Sequence, residues 1–277
     1  MELLLTMVML VGAIKSIENA ISMLTKNPAL VLVPILIAFI LAPIDTLNNA
    51  NFQFPQESAE VAKEQLRNFV HDFVKDAVIF GILTSIMQAI SGYSVSRGVL
   101  DIIRQKDYQI AQIIVEALKN LPQVAFLNVF GWVVTILVIA PPFAYLYSEI
   151  MKAESFTIPG SVMDNFFFLA IVSLLILLYV APASLLLIPA YVKTKSIRSA
   201  LKVYRLALNR LSSTIGFGIL VFIAIAIINL PTMLTRFINN QLLAGIVTAP
   251  FNGLSNAFSM TAATLFYLFL IEEIEEE

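Results

Sequence analysis

Apolar residues recur along this chain at steps of three and four, the period of one helix face, and such amphipathic stretches feed into charge-free runs long enough to cross a bilayer. The clearest case is Lys195–Pro231, KSIRSALKVYRLALNRLSSTIGFGILVFIAIAIINLP. Ile197, Leu201, Tyr204, Leu208 and Leu211 share one helical face, with Lys195, Arg198, Lys202 and Arg205 opposite. After Arg210 no charge appears until Arg236, which leaves 25 residues for a span. The pattern predicts a helix over 195–210 lying along the headgroups and leading into that span. Leu206, apolar on the polar side, marks a contact with another helix or protein.

The same order occurs twice earlier. Ile14, Ile17, Ile21 and Leu24 oppose Lys15, Glu18, Ser22 and Thr25, and the charge-free run Asn27–Ile44 follows, with Pro28 at the junction and Pro34 and Pro43 beyond. Ile110, Ile114, Ala117 and Leu121 oppose Gln112, Glu116 and Lys119. Pro122 then takes the place of Pro28, and no charge follows until Glu149, although Pro141-Pro142 interrupts the run. Each unit adds a second apolar run. KSIRSAL at Lys195–Leu201 also matches KSIENAI at Lys15–Ile21 in four of seven positions, so the order surface helix, span, span reads as a threefold repeat.

The fold class predicted is all-α: a polytopic helical membrane protein, one integral domain over 1–277, with six transmembrane helices plus amphipathic interfacial helices. The spans fall at about 28–44, 77–96, 122–147, 165–190, 213–235 and 249–271. Beyond the loop NNANFQFPQ, an extracytoplasmic amphipathic helix is expected at about 57–75, where Ala62, Leu66, Phe69 and Phe73 keep helical register, and it runs on into the second span. Met1–Ile14 is apolar but short for a span, and it carries Glu2 in place of a basic n-region; it reads as an interfacial or partly inserted helix, not a cleaved signal peptide. Ser161 and Asp164 predict a capping box ahead of the fourth span.

Composition agrees with lipid as the main solvent. Hydrophobic residues make up 59% of the chain and charged ones 13%, against about 25% charged in soluble domains. The net charge of −2 hides a separation: across six spans, twelve Lys and Arg fall on one side and five on the other. The positive-inside rule then places the twelve, both termini and the acidic tail EEIEEE in the cytoplasm of a cell-membrane protein. No basic excess points to nucleic acid, and zero cysteines exclude disulfides, Cys-ligated metals and thiol catalysis.

Candidate chemistry is sparse. No HExxH, Walker A, GxSxG or dinucleotide-binding glycine pattern occurs, so no catalytic, cofactor or metal residues are assigned. The single histidine, His71, reads as a solvated side chain. No span has an ionisable residue in its central portion, which counts against proton relays and ion-coupled transport. The polar residues at depth are Gln88, Asn128 and Asn229, candidates for intramembrane polar contacts. Gly81, Ser85, Ala89, Gly92 and Ser96 form a small-residue stripe on the second span, read as a packing seam. Lys195, Arg198, Lys202 and Arg205 are candidates for contact with anionic headgroups or a partner protein.

Three stretches, KSIRSALKVYRLALNR before the fifth span, TLFYLFL at Thr264–Leu270, and the early KNPALVLVPILIAFI, carry a resemblance. Together they resemble the membrane domain fused to some glycerophosphodiester phosphodiesterases and its stand-alone bacterial and archaeal relatives. The resemblance implies a six-span helical domain. The catalytic barrel of those phosphodiesterases has no counterpart in the 277 residues, so the resemblance brings no active site and no metal ligands.

The functional expectation is a non-enzymatic multi-pass protein, a scaffold or accessory in lipid handling or membrane transport, with the bilayer, its anionic headgroups and a membrane protein as partners. The alternative is a transporter or channel for a lipid or other poorly charged solute, lined by Gln88, Asn128 and Asn229. A cavity reaching the middle of the membrane separates the two.

Overall fold

A computed structural model describes residues 2–47, 59–106, 109–153, 159–238 and 240–275. Among the described residues there are helices and their connections but no strand. The loop NNANFQFPQ lies outside them.

The first unit is α1 (Glu2–Lys26), α2 (Ala29–Leu47) and α3 (Ala59–Ile103). Between α1 and α2 the chain bends by 89°. Pro28 has no N–H to continue the helix and disfavours helical backbone at Asn27. Asn27 closes α1 by donating to Met23 O through both its backbone N–H at 2.9 Å and its side-chain amide at 3.0 Å. The amphipathic stretch and second span form one 45-residue helix, α3, roughly 68 Å long at 1.5 Å per residue. That is about twice the hydrocarbon thickness.

The second unit is α4 (Ile110–Lys119), α5 (Leu121–Lys152), α6 (Gly160–Leu185) and α7 (Leu187–Thr194). Asn120 repeats the junction chemistry of Asn27, its amide donating to Glu116 O at 2.8 Å. α5 runs unbroken through Pro141-Pro142. α6 and α7 are one span broken at Leu186. The cause is Pro189, which cannot bond the carbonyl of Leu185 and crowds it with its ring. The third unit is α8 (Ile197–Leu201), α9 (Val203–Asn209), α10 (Leu211–Ile228), a 3₁₀ segment Leu230–Phe237 and α11 (Gln241–Glu275).

Among the described residues five helices are long and apolar enough to cross a membrane, or six with the bent α1–α2 pair counted as one span. The architecture is that of an all-α, polytopic helical membrane protein. Its details depart from the sequence reading in several places. The stretch 195–210 is two short helices divided at Lys202, not one. The capping box does not form: Pro159 is the N-cap, and Ser161 already lies within α6. α10 stops at Ile228, where the chain tightens into the 3₁₀ segment that Pro231 opens. α11 begins at Gln241 and carries Pro250 inside it.

The spans close into a ring: α2 packs between α3 and α11, α5 between α3 and α6, and α10 between α6 and α11. Each amphipathic element docks on the second span of the unit before it, α4 on α3 and α9 on α6, while α1 completes the cycle on α11. We call the end bearing α4, α8 and α9 basal and the opposite end distal. Antiparallel α3 and α5 stay in register from Tyr93/Asn120 through Ser85/Asn128 to Lys63/Ala153.

Burial is concentrated basally. On α3 the residues 91–96 are all buried, whereas Val78, Ile79, Ile82 and Leu83 are exposed. α10 repeats this, with Ser213, Thr214 and Phe217 buried and Phe222, Ile223 and Ile227 exposed. The large apolar residues of the amphipathic helices do not all face the core. On α1 Gly12, Ala13, Ser16, Ala20 and Leu24 are buried, while Ile14 and Ile21 point outward. On α9 Val203 and Ala207 are buried and Leu208 is exposed. Lipid is as apolar as leucine, so close approach of small residues decides which face turns inward.

Candidate functional site

The tight basal packing and looser distal packing leave a cavity of about 540 Å³ between α3, α5, α6 and α10, with Met260 of α11 and Ile188 of α7 completing its wall. The lining residues of α10 run from Gly218 to Ile225 and those of α5 from Asn128 to Thr135, so the cavity lies partway along both spans. One wall, from α6 and α10, is apolar except for Ser184: Leu174, Leu178, Ala181, Pro182, Phe222 and Ile225 are among its residues. The other wall, from α3 and α5, carries Ser85, Gln88, Asn128 and Thr135 beside the Trp132 ring. Among the described residues no ionisable side chain lines it.

The small-residue stripe of α3 builds this wall and the seam below it. Gly81 admits the Trp132 ring, and Gly92 admits Ile188 and Met260. Ser96 accepts a hydrogen bond from Thr264 of α11 at 3.1 Å. Asn128 is held by a bond from its amide N–H to Ser85 O at 2.8 Å. On the opposite wall, Ser184 is bonded to Val180 O and to the Tyr204 hydroxyl, each at 2.8 Å. Tyr204 therefore ties α9 to the cavity, and burial pushes its phenol pKa upward, an effect the Ser184 bond offsets only in part.

One turn of α7 beyond Ile188, a polar cluster closes the basal end. The Glu116 carboxylate accepts from the Tyr93 hydroxyl and from Lys195 Nζ, each at 2.8 Å, through Oε1. Its Oε2 lies 3.2 Å from Arg97 Nε, which is also 3.2 Å from Asp101 Oδ2. Arg97 makes these as ion-pair contacts without aligned hydrogen bonds. Asn120 donates to the Tyr93 oxygen at 3.3 Å and accepts from Tyr191 at 3.0 Å. Lys195 Nζ also bonds the Tyr93 hydroxyl and lies 4.7 Å from that ring's centroid. Burial alone would raise the Glu116 pKa; the bonds from Lys195 and Tyr93 and the charges of Lys195 and Arg97 outweigh it and hold the carboxyl below its usual range. Two cations and two carboxylates balance, and among the described residues no group of three acidic or histidine ligands could hold a metal.

The candidates from the sequence are thus divided. Gln88 and Asn128 both line the cavity. Asn229 does not: it ends α10, and its amide donates to Ile225 O at 2.9 Å and to Ser255 Oγ of α11 at 2.8 Å. Lys195 adopts a left-handed backbone at the end of α7, φ 54°, and turns its side chain inward to Glu116. Arg198, Lys202 and Arg205 are exposed on α8 and α9 without an ion-pair partner among the described residues. Leu206 packs against the protein's own core. His71 is exposed beside Asp72. The sequence reading did not single out Tyr93, Arg97, Asp101, Asn120 or Tyr191, and it placed Glu116 on a wet face. The available signal was the step of four from Tyr93 to Arg97 to Asp101, which puts a phenol and two opposite charges on one face of α3. No protein-family model, no curated protein and no solved structure matches the chain.

Proposed function

We propose that this protein is a non-enzymatic, lipid-handling component of the cell membrane that takes a lipid-like, poorly charged molecule into the cavity between α3, α5, α6 and α10. The cavity itself is the observation that carries the reading. Its 540 Å³ lies within the roughly 300–1,000 Å³ of small-molecule sites. Its α6 and α10 walls are apolar but for the already bonded Ser184, and Leu174 and Phe222 are exposed at its edge, which suits entry from the bilayer. Without an ionisable lining residue, a charged solute would enter at a desolvation cost that nothing there offsets. The twelve-to-five distribution of Lys and Arg supports a cytoplasmic basal end. Arg198, Lys202 and Arg205 then face the anionic leaflet, each contributing about 1 kcal/mol near its surface. The resemblance to the phosphodiesterase membrane domain fits the same role, that of a lipid-side module without a catalytic barrel.

Native mass spectrometry of protein released from lipid nanodiscs tests this. Wild type is expected to retain a bound lipid-mass adduct. Ala181→Trp, which fills the cavity from the α6 wall, is expected to lose it while remaining folded by circular dichroism. Equal adducts on both proteins would place the lipid elsewhere and overturn the reading.

A further inference from the structure

We infer that the ligand is a neutral amphiphile whose hydroxyl or ester carbonyl is held inside the cavity by the amides of Gln88 and Asn128, and that phosphate headgroups are refused there. This rests on reading the cavity as a lipid site and names the chemistry of its occupant. Three observations lead to it. Apart from Ser184 of α6, whose hydroxyl is already bonded to Val180 O and the Tyr204 hydroxyl, the polar side chains are gathered on the α3–α5 wall, facing a mostly apolar α6–α10 wall, so the site has a head side and a tail side. Asn128 is fixed by donating to Ser85 O at 2.8 Å, which leaves its Oδ1 uncommitted among the described residues. Gln88 lines the cavity three residues along α3 from Ser85, about 4.5 Å of helical rise. Its amide has no hydrogen-bond partner among the described residues.

Two neighbouring amides with a free donor and free acceptors match a hydroxyl or a carbonyl, each of which can accept and, for the hydroxyl, also donate. A phosphate monoester would bring charge into a space lined by no Lys, Arg or His, where an unpaired ion is far costlier than a neutral polar group. The cations of the basal cluster are already engaged with Glu116 and Asp101. A diacylglycerol or an isoprenoid alcohol has the required chemistry; a phosphatidic acid with the same chains does not.

The test uses the full-length protein in nanodiscs of zwitterionic lipid, doped with one of two probes carrying the same photoactivatable acyl chain: a diacylglycerol or a phosphatidic acid. Crosslinked peptides are mapped and counted. Because Gln88 makes no hydrogen bond to the described residues, Gln88→Met removes the amide at nearly constant size and leaves the fold intact. Diacylglycerol is expected to label α5 and α6 peptides at least fivefold more than phosphatidic acid. Gln88→Met should cut the diacylglycerol signal about fivefold, the worth of one net hydrogen bond, and leave the phosphatidic acid signal unchanged. Equal labelling by both probes, insensitive to Gln88→Met, overturns the neutral-headgroup inference but preserves the cavity as a lipid site. Absence of cavity labelling by either probe overturns both.

Discussion

Gly253 offers the sharpest test of the packing that shapes this protein. A Cβ placed there would lie 2.5 Å from Ile35 Cα, 2.7 Å from Ile35 N and 2.8 Å from Ile35 Cγ1. Carbon contacts settle near 3.5–4.0 Å, so α2 and α11 would have to separate by about 1 Å along their shared seam. Backbone atoms cannot rotate aside, which puts Gly253→Ala at the upper end of the ~1–3 kcal/mol typical of overpacking. The helix-propensity gain of alanine over glycine returns about 1 kcal/mol, for a net loss of roughly 1–2 kcal/mol. Gly92→Ala is the matched control. Its Cβ would meet Ile188 Cδ1 at 2.9 Å and Met260 Sδ at 3.2 Å, both ends of flexible side chains that can move. It should be near neutral. Thermal unfolding of both variants in one detergent, followed by circular dichroism, should show a lower apparent Tm for Gly253→Ala and little change for Gly92→Ala. The reverse order would refute the close approach of α2 to α11.

Two further outcomes follow from the basal cluster and the charge distribution. With its folded-state pKa held below the usual carboxylate value, Glu116 contributes stability that is complete above about pH 4.3 and is lost as pH falls through the lower folded-state pKa. Because solvent screens this partly exposed pair, Glu116→Gln should cost about 1 kcal/mol near neutrality, and its stability gap to wild type should shrink with acidification; a pH-independent gap would argue against the ionised contact. Because the protein has no cysteine, single thiols report topology cleanly. Asn68→Cys on the distal part of α3 should react with an impermeant maleimide on intact cells, and Gln112→Cys on α4 only after lysis, with the opposite pattern inverting the orientation.

How much of this was legible in the chain depends on which physical signal each residue carried. Charge-free length announces a span whatever its neighbours are, so the helices around Phe217 or Leu175 could be read directly. Gln88 and Asn128 stood out because amides are rare at such depth. Helix ends were harder: Pro189 breaks the chain at Leu186, whereas Pro141-Pro142 and Pro250 remain inside continuous helices, since a proline is tolerated where neighbours or adjusted backbone satisfy the freed carbonyl. Inward faces were misjudged for a different reason. Large apolar periodicity marks the core in water, but in lipid Ile21 and Leu208 can face outward while Ala20 and Ala207 mediate contact. The basal cluster was hidden because Tyr93, Glu116 and Lys195 are distant in sequence and converge only through the docking of α4 and α7 on α3.

The central claim is occupancy of the cavity, and the most direct measurement is an electron cryomicroscopy map of the protein in lipid nanodiscs. The account predicts elongated density between Phe222 and Leu178, with its polar end against Gln88 and Asn128. A map in which α6 and α10 close onto α3 and leave no such space, or in which the space holds only water, would contradict it.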